Sequence, residues 1–112
     1  MERIVLGLTE SVLINGQEYR AKIDTGARGN SICKTIVDKL SLPYTKKKIW
    51  VKSSNGKQLR QVVRAGITLQ KKSFYTSFNV TDRSHLKFPI LIGVQTLKKG
   101  FLVDPSLNEI NY

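Results

Sequence analysis

One acidic tripeptide, Asp24-Thr25-Gly26, has residue types that could carry catalysis. It directly follows Ala21-Lys22-Ile23, the apolar end of a predicted strand. A carboxylate in this place is held by the sheet and still points outward. Gly26 allows close approach of the backbone, and the Thr25 hydroxyl can fix the turn through hydrogen bonds. Because Asp-Thr-Gly is also ordinary turn chemistry, the tripeptide alone does not establish a catalytic acid.

Two Asn-Gly steps predict the hairpins that would surround this turn. Asn15-Gly16 separates residues 12–14 from residues 18–23, and such a step supplies the positive φ angles of a tight type I′ hairpin. Asn55-Gly56 predicts a second hairpin, between residues 48–52 and 58–65, that is strongly basic. Its arms carry Lys48, Lys52, Lys57, Arg60 and Arg64.

Period-2 alternation predicts most of the remaining chain to be strand. It runs through Ala65, Ile67 and Leu69, and again through Phe74, Thr76, Phe78 and Val80, which leaves Tyr75 exposed. Ile90-Leu91-Ile92 has no polar alternation and predicts a strand buried on both faces.

Two short segments have helical patterns. Ile32, Ile36, Val37 and Leu40 share one helical face that ends before Pro43, and Thr96 to Gly100 predicts a short helical turn with glycine at its end. Together with the strands, this predicts a mainly β domain, a small barrel or sandwich with one or two short helices. Nothing marks a boundary inside residues 1–112, so a single domain is expected.

The net charge is +11, from 19 Lys and Arg against 8 Asp and Glu. No acid lies between Asp38 and Asp82, and that stretch holds ten of the bases, so the charge belongs to the folded unit. Such a charge suits nucleic acid, an anionic surface or an acidic protein. We expect a cytoplasmic protein with no membrane segment, because the chain has one cysteine, no signal-peptide pattern and no apolar run of membrane length.

Three parts of the sequence occur in the order found in the retropepsin-like aspartic proteases: the Asp24 turn, a hairpin at Asn55-Gly56, and Ile90-Leu91-Ile92-Gly93. The chain resembles that family, whose Asp-Thr-Gly turn is braced by a hydrophobic-hydrophobic-Gly strand and covered by a hairpin flap. The resemblance implies a closed retropepsin-like β-barrel that is half of a dimeric protease.

On longer stretches the chain resembles the family known as ATP-dependent zinc proteases, whose RimB-type members are retropepsin-like peptidases. These stretches are residues 21–28, 53–56, 82–83, 88–93 and 100–105. The family is associated with RimK-type glutamate ligases, which add glutamates to a ribosomal protein. Two departures are Gly29-Asn30 after Arg28, where Thr-Ser is usual, and Val94 after Gly93, where Arg is usual.

Aspartic proteolysis needs two carboxylates that share one proton, and this chain has one copy of the motif. The resemblance therefore implies a homodimer with a shared Asp24 dyad, whose catalytic residues are Asp24, Thr25 and Gly26. If the second hairpin is the flap, basic residues cover the dyad and favour an acidic substrate, such as an oligoglutamate-tailed peptide or a glutamylated ribosomal protein. The predicted substrate-binding residues are Arg28, Lys52, Ser53, Ser54, Asn55, Gly56, Arg60, Arg64 and Arg83. Asp104, before Pro105, is expected to have a structural role at a strand end.

We predict neither a metal nor another cofactor. A catalytic zinc site usually takes three protein ligands, whereas Cys33 and His85 each stand alone, and Cys33 is expected to be buried. The sequence also has no glycine-rich phosphate loop, so any ATP dependence would belong to a partner, such as a RimK-type ligase. The alternative reading is a basic β-domain that binds nucleic acid or acidic proteins without catalysis.

Overall fold

The computed structural model describes residues 2–54 and 56–109. This part of the chain forms nine strands and two short helices. The strands are β1 Ile4–Leu6, β2 Thr9–Ile14, β3 Gln17–Ile23, β4 Asn30–Cys33, β5 Tyr44–Ser53, β6 Gly56–Leu69, β7 Lys72–Thr81, β8 Ile90–Ile92 and β9 Phe101–Val103; the helices are α1 Lys34–Leu40 and α2 Val94–Leu97.

Six of the strands close into a barrel. They pair in the order β2-β3-β8-β4-β7-β6, and β6 also pairs with β2, which completes the ring. The 14-residue β6 makes this possible because its far end pairs with both neighbours: Ile67 lies opposite Phe74 of β7 and opposite Ile14 of β2. Its alternate residues Val63, Ala65, Ile67 and Leu69 fill the interior.

Both predicted hairpins are present. Asn15 and Gly16 have φ angles of 50° and 76°, as a type I′ turn between β2 and β3 requires. The β5–β6 hairpin pairs Ser53 with Gly56, so its loop lies one residue earlier than the Asn-Gly step suggested. Asn55 itself lies outside the described residues.

The strand predictions from alternation are confirmed for β6 and β7. Phe78 is fully buried, Phe74 packs against the core, and Tyr75 is 73% exposed. The strand β8 lies inside the barrel wall, parallel to β3 and antiparallel to β4. Its burial on both faces is only partly confirmed: Ile90 and Ile92 are fully buried, whereas Leu91 is partly exposed.

Both helices are shifted from their predicted bounds. Ile32 and Cys33 belong to β4, because pairing with β7 and β8 overrides their helical spacing, and α1 begins only at Lys34. It ends at Leu40, and the following Ser41 has a left-handed φ of 50°. The second helix, α2, begins at Val94, two residues earlier than predicted.

The two ends of the described chain meet outside the barrel. β1 and β9 form a parallel pair in which Ile4 lies opposite Phe101. The buried Glu10 carboxylate accepts hydrogen bonds from the Gly7 N–H at 2.7 Å and from Asn108 Nδ2 at 3.0 Å. These bonds attach both end segments to the barrel. Among the described residues, no helix is long and apolar enough to cross a lipid bilayer.

Candidate active site

Asp24 follows β3 directly and lies in a tight, hydrogen-bonded turn. Its Oδ1 accepts a hydrogen bond from the Gly26 N–H at 2.8 Å, and its carbonyl accepts one from the Ala27 N–H at 3.2 Å. Its own N–H donates to the Ile92 carbonyl at 2.9 Å. The carboxylate is therefore fixed by its own turn and by β8, while its side chain stays partly exposed.

The residues after β8 brace this turn from the other side. The Val94 N–H donates to the Ala27 carbonyl at 2.8 Å, and the Gln95 N–H donates to the Arg28 carbonyl at 2.9 Å. Gly93 lies so close that an added Cβ would stand 2.3 Å from the Gly29 carbonyl oxygen. The brace that the family resemblance implied is thus in place, and it needs glycine because of this close approach.

Asn30 joins the brace to the barrel and was not identified as a site residue from the sequence. Its Oδ1 accepts a hydrogen bond from the Gly93 N–H at 3.0 Å. Its Nδ2 donates to Thr96 Oγ1 at 2.8 Å and to the Ser77 carbonyl at 3.1 Å. A buried amide with this many partners fixes the relative position of β4, β7 and the Gly93 loop. The departure from the family pattern at this position was its only signal in the sequence.

A cavity of about 1100 Å³ opens in front of Asp24. The β5–β6 hairpin forms one side of it through residues 47, 49–52, 60, 62 and 64. Asp24 is the only acid among the described residues that line this cavity. The basic residues that line it are Arg28, Lys47, Lys52, Arg60, Arg64, Arg83, Lys98 and Lys99.

Most of the predicted site residues meet in this cavity. The residues found there are Asp24, Gly26, Arg28, Lys52, Arg60, Arg64 and Arg83, whereas Thr25, Ser54 and Gly56 are not part of its lining. Asn55 and the side chain of Ser53 lie outside the described part of the structure. The cavity is also lined by Asn79, Gln95, Lys98 and Lys99, which were not predicted from the sequence. These follow the brace or lie on β7, where nothing in the local sequence marks them.

Arg60 and Arg83 are the most constrained bases of the cavity. Arg60 donates from Nε to Gln58 Oε1 and from a terminal nitrogen to Asn79 Oδ1, each at 2.8 Å. Arg83 Nε donates to the Phe88 carbonyl at 2.9 Å. Burial lowers the pKa of both guanidinium groups, and the charge of Arg60 lowers the pKa of Arg83 further, whereas the nearby Asp24 raises it.

Asp82 and Asp104 have local, structural roles. Each side chain accepts hydrogen bonds from the N–H and the hydroxyl of the serine two residues later, Ser84 and Ser106, at 2.9 and 2.6 Å. These bonds lower the pKa of both carboxyl groups, with the serine side chain as the largest cause. The structural role predicted for Asp104 is confirmed, and neither acid lines the cavity.

No group of three or more His, Cys, Asp or Glu side chains that could hold a metal occurs among the described residues. Cys33 is buried, as predicted, but lies in β4 rather than in a helix. Burial raises the pKa of its thiol, but hydrogen bonds from Thr35 and from the Arg83 N–H outweigh this effect and leave the pKa lowered. His85 is exposed.

The comparisons with known proteins agree on one fold. The family model described as "RimB-like: Retropepsin-like aspartic endopeptidase RimB" matches residues 34–112, a range that begins after the Asp24 turn. No curated protein matches the sequence. Many solved structures are similar, and two of them are the following.

The first is the crystal structure of a Legionella pneumophila protein of unknown function (DUF785). It is 23% identical, with a TM-score of 0.67, over 93% of this chain and 95% of that chain. The second is the solution structure of the simian foamy virus (mac) protease, 13% identical with a TM-score of 0.62 over 80% of this chain and 91% of that chain. At these identities the structures show the fold alone, and the predicted retropepsin-like barrel is confirmed.

Proposed function

Because the chain belongs to the RimB-like family of retropepsin-like aspartic endopeptidases, we propose that it is an aspartic endopeptidase whose catalytic carboxylate is Asp24. The observation that carries this proposal is the braced Asp24 turn facing a cavity large enough for several peptide residues. Gly26 holds Oδ1 from the backbone, which leaves the carboxylate oriented before substrate arrives.

The reaction requires a second carboxylate, and a second copy of the chain would supply it. In aspartic catalysis two carboxyl groups share one proton: one takes a proton from water, and the other donates its proton to the substrate carbonyl oxygen. The tetrahedral adduct then breaks down to a carboxyl and an amine. Since the described lining of the cavity contains only one acid, we propose a homodimer with one Asp24 from each chain at its two-fold axis.

The basic lining of the cavity favours an acidic substrate. The positive side chains of the β5–β6 hairpin and of the segment after the brace face the same space as Asp24. Their combined potential would draw in a peptide rich in glutamate and disfavour a basic one. We propose oligoglutamate-tailed peptides as substrates, with a glutamylated ribosomal protein as the natural example that the family resemblance implies.

The test is cleavage of glutamate-extended peptides, with the products identified by mass. Asp24→Asn should abolish cleavage and remain folded, because the carboxylate is partly exposed and the Gly26 N–H can bond to the amide oxygen. Asp38→Asn, which removes an exposed acid from α1, is the matched control and should keep full activity. Full activity of Asp24→Asn would refute the aspartic mechanism.

The shared dyad has a separate test. Adding excess Asp24→Asn chain to a fixed amount of wild-type chain should lower activity, because mixed dimers hold a single carboxylate. Activity that is unaffected by the mixture, or that sediments with a monomer, would rule out the dimer. If the wild-type chain binds glutamate peptides but does not cleave them, the function would instead be that of a domain that binds acidic proteins without catalysis.

A further inference from the structure

Arg60 and Arg83 are two like charges that line the same cavity. Both are partly buried, and the charge of Arg60 lowers the pKa of Arg83. Neither makes an ion pair with a carboxylate among the described residues, where the one salt bridge is Lys34–Asp38 on the surface. Holding two partly desolvated cations together is unfavourable unless an anion is bound between them.

The protein also orients both side chains. Asn79 is buried and fixes Arg60: its Oδ1 accepts from Arg60 and from Ser31 Oγ, and its Nδ2 donates to the Asn30 carbonyl at 2.7 Å. Arg83 is anchored through Nε to the Phe88 carbonyl. Its two terminal amino groups make no hydrogen bond within the described part of the chain, so one edge of its guanidinium is available to an acceptor.

We propose that Arg60 and Arg83 form a subsite that binds a glutamate side-chain carboxylate of the substrate beside Asp24. The planar, forked guanidinium matches the two oxygens of a carboxylate better than a lysine ammonium does. This assignment rests on the proposed peptidase function and adds to it: the general field of the lining attracts acidic peptides, whereas this pair selects a carboxylate at one position.

Asp24 is the acid of the cavity that could pair with Arg83 in place of a substrate carboxylate. It does not do so in the structure. The charge of Asp24 raises the pKa of Arg83, but the two side chains form no salt bridge. Asp24 Oδ1 is already bonded to the Gly26 N–H. The arginine edge is therefore left for substrate, and a bound carboxylate would stand next to the catalytic acid.

The experiment measures binding by calorimetry in the Asp24→Asn chain, so that it does not depend on cleavage. The probes are a short oligoglutamate peptide and the glutamine peptide of the same length. Arg60→Gln and Arg83→Gln should each weaken oligoglutamate binding by about tenfold or more, the effect of losing a charge-assisted hydrogen bond. The same two changes should leave binding of the glutamine peptide as it is in the Asp24→Asn chain.

Lys57→Gln is the matched control, because Lys57 is exposed on the same hairpin and does not line the cavity. It removes the same unit of charge and should weaken binding by less than about threefold. Arg83→Lys keeps the charge but loses the fork, and should behave like Arg83→Gln. If Arg83→Gln does not fold by circular dichroism, Arg60→Gln and Arg83→Lys carry the test.

The outcomes separate this subsite from the peptidase. Equal losses in Lys57→Gln and the arginine variants would show that only overall charge matters and would overturn the subsite. No preference for oligoglutamate over the glutamine peptide would overturn it as well, even if the wild-type chain cleaves other peptides. A preference that the arginine variants abolish would support the subsite, even if no cleavage were found and the peptidase proposal had failed.

Discussion

Gly93→Ala tests whether the contact between the brace and the catalytic turn is as close as the structure shows. The backbone of Gly93 has a φ of −107°, which alanine adopts without strain, so only the added methyl group matters. That methyl would lie 2.3 Å from the Gly29 carbonyl oxygen and 2.8 Å from that of Ala27. Real Cβ contacts essentially never fall below 3.0 Å, so the turn must move by at least 0.7 Å from the brace.

The expected cost follows from that displacement. Overpacking by one methyl group costs roughly 1–3 kcal/mol, and weakening the hydrogen bonds from Val94 and Gln95 to the turn adds about 1 kcal/mol. A total of about 2–4 kcal/mol corresponds to a fall in Tm of about 10–20 °C for a domain of this size. Because the moved segment carries Asp24, peptide cleavage should fall by about 100-fold.

The measurement is thermal unfolding followed by circular dichroism, together with peptide cleavage at a temperature where both chains are folded. Gly29→Ala is the matched control: Gly29 lies on the other side of this contact, in the segment that carries the Asp24 turn, but its added methyl would meet only the Gln95 side chain, at 4.0 Å. It should change the free energy of unfolding by less than about 1 kcal/mol. A Gly93→Ala chain as stable and as active as Gly29→Ala would refute the reasoning.

Two further predictions concern stability. Asn30→Ala removes the partner of the buried Gly93 N–H and one of the two partners of the Thr96 hydroxyl, which keeps only Thr76 Oγ1. It should lower the free energy of unfolding by about 2–4 kcal/mol in urea titration. Gln61→Ala, an exposed change on β6, should stay within about 0.5 kcal/mol, and similar losses for the two variants would contradict the assigned network. The pKa of Asp104 is lowered in the folded state by Ser106, so its contribution to stability is present above the unfolded pKa of about 3.9 and is lost as pH falls through the folded value. Urea midpoints of Asp104→Asn should therefore fall less steeply than those of wild type below about pH 4, and parallel pH profiles would contradict this assignment.

The sequence predicts those parts of the fold whose cause is local. An Asn-Gly step between alternating segments favours a tight hairpin, and at Asn15-Gly16 the structure shows both positive φ angles. The alternation through Phe74 and Phe78 correctly assigns one face of β7 to the core. The Asp24 turn and Gly93 could be placed together only through the family resemblance, because nothing local connects positions so far apart.

The sequence predictions fail where the structure depends on pairing between residues that lie far apart in the chain. Ile32 and Cys33 have helical spacing with Ile36, but they form a strand because β4 pairs with β7 and β8. Arg60 and Arg83 were both named as substrate-binding residues, yet their pairing could not be foreseen, because it depends on Asn79 and on the Phe88 carbonyl. Sequence patterns indicate whether a residue faces the core or the solvent. Which residues contact each other across the barrel depends on how the strands pair.

The brace also has a consequence for the order of folding. Asp24 is held by the Ile92 carbonyl, and β3 pairs with β8, so the turn becomes rigid only after contacts between distant parts of the chain have formed. Such closures are entropically costly and form slowly compared with local hairpins. A nascent chain that ends before β8 can form the β2–β3 hairpin but has no partner for the Asp24 N–H. The last fifth of the chain, which begins with β8, must therefore be available before the Asp24 carboxylate is fixed in place, and a fragment that ends before β8 would carry Asp24 without its brace.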